Sequence, residues 1–365
     1  MADAGMMGAV QVPPPATGRP LWLRPGPAFL WLMLLGNLGG SVALWFAEHG
    51  HREFGDWATG FTSVGRLTGM VGAYLALVQV VLLARIPWIE RATGFDRLTV
   101  LHRLNGKASL YLVVAHVVFT TIGYMKGDQV SLWGEIKALL TTSYPGMVTA
   151  TIGTGLFVVV ALSSYSIARR RLPYELWYAV HFTAYASIAL AWFHQVPTGT
   201  ELAYHAIPTD YWTSLYIATL ALLVVFRVLV PAGQALRHGL RVSEVVHEGP
   251  GVVSLVITGR DLGRLRAQAG QFLLWRFLAK GHWLHSHPFS LSAAPDGRSL
   301  RVTVKALGDH TARIVEEIRP GTRVLTEGPF GVFTAALRRQ DRVALIAGGI
   351  GITPVRALLE EMGGE

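Results

Sequence analysis

Polar and apolar positions divide the chain into a long apolar part and a shorter alternating part. Six apolar stretches, near residues 27–47, 64–84, 99–121, 148–168, 174–195 and 210–230, each approach the ~20 residues that carry an α-helix across the hydrocarbon core of a bilayer. Arginines mark alternate connections: Arg85, Arg91 and Arg97 after the second stretch, Arg169, Arg170 and Arg171 after the fourth, and Arg227, Arg237 and Arg241 from the end of the sixth. Basic loops stay on the cytoplasmic side. Residues 25–232 are therefore expected to form an all-α six-helix membrane bundle with both ends cytoplasmic. Residues 1–24, rich in Pro, Gly and Ala without periodicity, are expected to be a disordered cytoplasmic tail, and they carry no signal-peptide cleavage pattern.

From about residue 238 the period shortens. Runs such as VVSLVI (252–257) and LRVTV (300–304), separated by Gly, Asp and Pro, predict a soluble, mostly antiparallel β domain over 238–337. The run RVALIAGG from Arg342 predicts a buried strand over 342–348, followed by a Gly-rich turn and a helix. One strand and one helix cannot complete a parallel sheet, so 340–365 is expected to be an incomplete α/β nucleotide-binding domain, and the chain a truncated one or a fragment.

Composition narrows the classes. With 51% hydrophobic and 15% charged residues, the chain is too apolar for an ordinary soluble protein. The absence of Cys excludes disulfides, thiolate metal sites and Cys-ligated iron–sulfur clusters. The net charge of +9 sits beside the apolar stretches rather than in a stripe interleaved with aromatics, which speaks for a membrane and against nucleic acid. Asn37 and Asn105 lie outside glycosylation sequons, and with the Ala, Gly and Arg bias this suits a bacterial plasma membrane.

Four histidines lie inside apolar stretches as two pairs, His102 and His116 in the third, His181 and His194 in the fifth, 14 and 13 residues apart. At about 1.5 Å rise per residue each pair spans roughly 20 Å. Imidazole is costly in hydrocarbon. Any one of them has a plain reading as a hydrogen-bonded bundle residue; as matched pairs on parallel helices they have the geometry for two stacked bis-histidine haems, His102 with His181 at the inner level and His116 with His194 at the outer. Helical phase adds a condition: at about 100° per residue, 14 residues return to within about 40° of the starting face, whereas 13 miss by about 140°. The fifth helix must kink, tilt or approach the two haems from different sides. Arg66, at the outer level, is either an interfacial anchor or a catalytic cation that stabilises an anionic product. Arg103 and Lys107 are candidates for haem propionates or lipid phosphates. Trp192 and Phe193 are read as packing residues, and His49, His51 and His205 as solvated loop residues.

A family resemblance becomes specific in the soluble part. His287-Pro288-Phe289-Ser290-Leu291-Ser292 resembles the flavin-binding signature of the NADPH oxidase and ferric reductase superfamily. Val304-Lys305-Ala306-Leu307-Gly308-Asp309-His310-Thr311 resembles that family's second FAD motif, Glu327-Gly328-Pro329-Phe330-Gly331 its strand-ending segment, and Ala347 to Pro354 its NAD(P)H pyrophosphate loop. In this order, after six spans with paired histidines, the resemblance covers residues 27–365. It implies a ferredoxin-reductase-like antiparallel β-barrel binding FAD through His287, Pro288, Phe289, Ser290, Lys305, Gly308, Asp309 and Thr311, and NAD(P)H binding by Gly348, Gly349, Gly351, Thr353 and Pro354. Arg66 resembles an arginine that the oxidases place beside the outer haem; Thr120 stands where some oxidases have a further histidine. Physically, Ser290 can bring a hydroxyl near flavin N5, and His287 with nearby amides can meet the FAD phosphates. Gly308 is expected to let the chain turn closely, and the helix opening at Asp309–Thr311 to offer amides to pyrophosphate.

The expected function is transmembrane electron transfer from cytoplasmic NAD(P)H through FAD and two b-type haems to an outer acceptor, first O₂ giving superoxide. A ferric-chelate or quinone reductase using the same route is the rival. The third reading is a membrane cytochrome b and flavin module that does not use NAD(P)H unaided. Two axial histidines per iron imply that the acceptor reacts at the haem edge. The expected partners are the lipid bilayer, NAD(P)H and that acceptor; no protein partner is indicated.

Overall fold

The computed structural model describes residues 25–141, 144–203, 205–338, 340 and 342–363, so the expected tail, residues 1–24, lies outside the described residues. The chain divides into two compact units, one of Pro25–Ile86 with Asp96–Val224, the other of Pro87–Phe95 with Val225–Glu365.

The helices are α1 (Pro25–Ala47), α2 (Trp57–Leu82), α3 (Pro87–Thr93), α4 (Phe95–Gly127), α5 (Leu132–Thr141), α6 (Met147–Ser164), α7 (Ser166–Arg171), α8 (Tyr174–Phe182), α9 (Ala184–Thr198), α10 (Ala206–Val224) and, after a π turn at Val225–Leu229, α11 (Val230–His238). Among the described residues five helical runs are long and apolar enough to cross a membrane: Trp57–Leu82, Phe95–Gly127, Met147–Ser164, Tyr174–Thr198 and Ala206–His238. The first expected span is helical as α1, but its apolar run Trp31–Ala47 is shorter than that length. Large apolar side chains such as Leu32, Leu104, Tyr111, Leu162 and Ile217 stay exposed on these helices, as they do where lipid, not protein, covers them.

In the first unit α2 is the most enclosed helix. Asp56 caps it by accepting the Thr59 amide at 3.0 Å, satisfying an otherwise unpaired donor. Its glycines admit α4: a Cβ on Gly65 would lie 2.6 Å from Thr120 Cγ2, one on Gly69 2.5 Å from His116 Nδ1, and one on Gly72 3.1 Å from Val113 Cγ2. Small residues in a row let helix backbones approach, and polar side chains then bridge them. Ser109 donates to Gly72 O at 2.8 Å, Asn105 to Leu75 O at 2.8 Å, and Trp45 Nε1 to Ser63 Oγ at 3.0 Å. Between α6 and α9, Ser187 donates to Gly153 O at 2.7 Å. The fifth span is two helices: α8 ends and α9 begins on either side of Thr183, just past His181.

Among the described residues the second unit is built on six strands, β1 (Arg241–Gly249), β2 (Val252–Thr258), β3 (Phe272–Phe277), β4 (His287–Ser290), β5 (Ser299–Lys305) and β6 (Val324–Phe330). They form two antiparallel sheets, β1-β2-β5 and β4-β3-β6. Isolated bridges Arg241↔Arg323 and Leu291↔Val302 join the sheets at both edges, closing the expected antiparallel barrel. Alternate residues of β3 and β5 point inward, as the period of two requires, and Val253, Leu255, Ile257, Leu273, Trp275, Leu291 and Val302 form the core. Helix α12 (Asp309–Glu317) adds Ile314 to that core. A 3₁₀ turn at Gly349–Gly351 leads into α13 (Ile352–Gly363).

One expectation is corrected here. Residues 342–348 form no strand, and Val343 and Ile346 are exposed, Ile346 at 94%. A strand exists through its ladder of partners, and among the described residues no neighbour pairs with this segment; apolar content alone does not supply one.

Candidate functional site

The structure pairs the four membrane histidines as their spacing suggested. The rings of His102 and His181 face each other with centroids 6.1 Å apart, and those of His116 and His194 with centroids 6.3 Å apart. Two imidazoles on opposite sides of one metal ion, with metal–nitrogen bonds of about 2 Å, have centroids about 6 Å apart. Both gaps would admit one metal ion between two imidazole nitrogens. The phase mismatch of the fifth span is resolved at Thr183, where the chain breaks after presenting His181 and re-enters a helix that turns His194 toward His116.

The far ring nitrogens show how the rings are held. His116 Nδ1 lies 2.8 Å from Gly65 O, His102 Nδ1 3.2 Å from Gln79 O, and His181 Nδ1 3.1 Å from Ser164 Oγ. A carbonyl only accepts, so Nδ1 of His102 and His116 carries the proton and Nε2 keeps the lone pair a metal needs. Gln79 is itself fixed, donating to His102 O at 2.6 Å and accepting from Asn105 at 2.7 Å. Gln79 and Ser164 were missed in the sequence, although a polar side chain inside an apolar span is a signal that it faces the bundle interior.

A cavity of about 520 Å³ opens on the second pair, lined by His116, His194, Arg66, Tyr124, Gly153 and Glu201 among others, within the range of cofactor sites. Gly146, which precedes α6 at φ +79°, lets the chain pass close to the segment that carries His194: a Cβ there would lie 2.8 Å from the His194 amide. Arg66 reaches this cavity but is no free cation. It pairs with Glu201 at 2.9 Å and with Glu53, so two carboxylates answer one guanidinium. Glu201 is 2% exposed, and burial raises its carboxyl above the usual range while Arg66 opposes the shift. Beside His194, Gln195 Oε1 accepts from Trp212 Nε1 at 2.8 Å and Tyr216 OH at 2.9 Å. Arg103, Lys107, His49 and His51 are exposed, His205 pairs with Glu48 at 3.2 Å, and Trp192 meets Phe193 edge-on.

In the barrel, His287-Pro288-Phe289-Ser290 is strand β4, registered so that His287 faces Trp275 and Ser290 faces Phe272 on β3. Trp275 Nε1 donates to Phe289 O at 3.0 Å. The His287 ring lies 5.9 Å from that of His310, and the His310 ring 4.1 Å from that of His285. Burial, then the neighbouring His310, His285 and His282, lower the His287 imidazole to about 4. With no anion bound it is therefore neutral at pH 7, and its ring N–H can donate to a phosphate. Thr311 Oγ1 accepts from the amides of Leu307 (2.9 Å) and Gly308 (3.1 Å) and so closes the turn into α12. Gly308 is extended at φ −172° with nothing within 4 Å of an added Cβ, so it is not there to turn the chain; the open space beside it is what a ligand approaching the helix start requires. Asp309 begins that helix.

Gly348, Gly349 and Gly351 likewise have no atom within 4 Å of an added Cβ, and Gly349 adopts φ +55°. Gly349 and Thr353 line a cavity of about 380 Å³ with Lys305, Ser292, Thr303 and Arg356. Thr353 donates to Ile350 O at 2.9 Å, and Pro354 follows it in the first turn of α13. Arg356 was not foreseen, lying two residues past the recognisable motif.

Residues 68–192 match the family described as "Ferric reductase like transmembrane component", and residues 240–334 match "FAD-binding domain". The first span holds His102, His116 and His181, with His194 just beyond it; the second holds His287–Ser290, Lys305 and Gly308–Thr311. The chain is 24% identical over 327 residues to the "Probable ferric reductase transmembrane component" of Candida albicans, covering 85% of this chain and 45% of that protein. It is 25% identical over 291 residues to "Ferric reduction oxidase 7, chloroplastic" of Arabidopsis thaliana, covering 73% and 36%. It is 30% identical over 84 residues to "NADPH oxidase 1" of Mus musculus, covering 22% and 14%. The chain spans less than half the length of each of these relatives.

Proposed function

From the chain's place in the superfamily of ferric reductases and NADPH oxidases, we propose that it carries electrons from NAD(P)H on the cytoplasmic side, by way of FAD and two b-type haems, to an acceptor on the outer side. One observation carries this reading: two histidine pairs, 6.1 and 6.3 Å between ring centroids, stand at two levels of one membrane bundle. Flavin accepts a hydride and releases single electrons, which haem iron carries one at a time.

The chain's residues have distinct tasks in this reading. His102 and His181 hold the inner haem and His116 and His194 the outer, each through Nε2. Ser290 and His287 on β4, with Lys305 and the amides at Gly308–Thr311, hold the flavin, and the open turn at Gly348–Gly351 receives the dinucleotide. With His116 and His194 both engaged in holding the outer group, an acceptor would be met beside that site, in the cavity that Arg66 lines.

The surroundings of Arg66 bear on the choice of acceptor. A lone cation there would favour an anionic product, but Glu53 and Glu201 compensate it, which favours a ferric chelate or other acceptor that is not stabilised by positive charge. The similarity to ferric reductases runs along most of the chain and that to an NADPH oxidase along 22% of it, in the same direction. Reduction of O₂ to superoxide is the second reading, favoured by the position of Arg66 on the cavity.

The test is an anaerobic visible spectrum of the purified, FAD-supplemented protein before and after NADPH, then NADH, then dithionite. A reduced low-spin haem b spectrum with nicotinamide alone is expected, followed by reoxidation on adding ferric chelate. Haem reduced only by dithionite refutes NAD(P)H use by this chain, and absence of haem refutes the whole reading. Reoxidation by O₂ but not by ferric chelate, with a product removed by superoxide dismutase, moves the second reading to first place.

A further inference from the structure

The four histidines are anchored unequally. Three of them donate from Nδ1 to a neighbouring helix, His102 to Gln79 O, His116 to Gly65 O and His181 to Ser164 Oγ. His194 Nδ1 is buried without a hydrogen-bond partner. The Ala191 carbonyl of its own helix faces it without meeting hydrogen-bond geometry. An atom with no accessible surface is not the one turned toward the cavity, so His194 too presents Nε2, and Nδ1 is where its anchor is missing.

The Ser164 contact is directional. Its hydroxyl donates to Val160 O at 2.7 Å and accepts from Trp177 Nε1 at 3.3 Å. With its one hydrogen committed, it can only accept from His181 Nδ1. Trp177 also stacks on the His181 ring, centroids 5.0 Å apart and planes 27° apart. The residue thus fixes both the tautomer and the orientation of His181. Among the three anchors it is the one made by a side chain, and so the one a substitution removes.

An acceptor on the far nitrogen makes an imidazole a more basic ligand, and a more basic ligand favours the oxidised ion. The inner pair has two such anchors and the outer pair one. We propose that this grading sets the inner site at the lower reduction potential, so that electrons fall outward, and that Ser164 is the positioning residue that adjusts it. The proposal rests on the haem reading above. Electron transfer between the sites is a one-electron exchange in which the inner site is oxidised and the outer reduced, with no bond made or broken.

The experiment is a spectroelectrochemical titration of the full chain with its haem bound, preceded by a haem count. Two midpoints are expected in the unaltered protein. Ser164→Ala should move the lower midpoint upward, toward the other, and leave the upper in place. Ser164→Thr, which keeps the hydroxyl, should restore the original separation. Trp177→Phe, which removes the donor that orients Ser164, should shift the same component by less and serves if the alanine variant binds no haem. Movement of the upper midpoint, an unmoved lower midpoint, or equal shifts in the alanine and threonine variants would overturn the proposal. A count of zero haems overturns instead the haem reading on which it stands.

Discussion

The glycines beside the candidate sites stand in opposite surroundings in the two halves of the molecule. In the membrane half a neighbouring helix occupies the place of the missing side chain: an added Cβ would lie 2.5 Å from His116 Nδ1 at Gly69 and 2.8 Å from the His194 amide at Gly146. In the soluble half Gly308, Gly348, Gly349 and Gly351 have no atom within 4 Å of that place. Within a bilayer, water expulsion does not drive helices together, and close backbone approach does. At a helix start facing water, the same small residue leaves backbone amides uncovered for an anion. The histidines divide in the same way. His102 and His116 each meet one partner ring on another span, at 6.1 and 6.3 Å between centroids, whereas His285, His287 and His310 crowd one another in the barrel.

Three perturbations would sharpen or break this contrast. The largest effect is expected from His181→Leu. Haem content, measured as pyridine haemochrome, should fall by half and acceptor reduction should be abolished, while the flavin is still reduced. Retention of both haems would dissolve the pairing. Next, Gly146→Ala should cost about 1–3 kcal/mol, because it combines a left-handed backbone with a filled Cβ site. Gly308→Ala, extended and open, should stay within about 0.5 kcal/mol. Thermal unfolding in detergent measures both, and a costlier Gly308→Ala would erase the distinction. The smallest effect concerns pH. His287 sits at about 4 in the folded barrel against 6.5 for the free side chain, so as pH falls from 6.5 toward 4 the unfolded chain binds its proton first. Stability present above that window is lost across it. His287→Gln should flatten this part of the stability profile; an unchanged slope would show that His287 does not titrate there.

Much of the candidate site was legible because it is local. Apolar length, the intervals between His102 and His116 and between His181 and His194, and the order of the short motifs in the barrel all lie along the chain. The phase argument required the fifth helix to kink, tilt or approach from different sides without saying which; the structure breaks it at Thr183. Arg66 was legible as a position and not as a charge, because Glu53 and Glu201, distant in sequence, neutralise it only after folding. The strand expected over 342–348 failed for the same kind of reason: apolar content is local, but a ladder needs a partner from elsewhere.

The sequence by itself determined that helices cross a membrane, that a β domain follows, and that imidazoles lie at two depths, since hydropathy, period and spacing are properties of consecutive residues. Only the tertiary structure decided which imidazoles find an anchor for the far nitrogen, at Gly65, Gln79 and Ser164, and which does not, and that Arg66 is compensated by Glu53 and Glu201. Each of these is a distance between residues far apart in the chain, and such distances are set by packing.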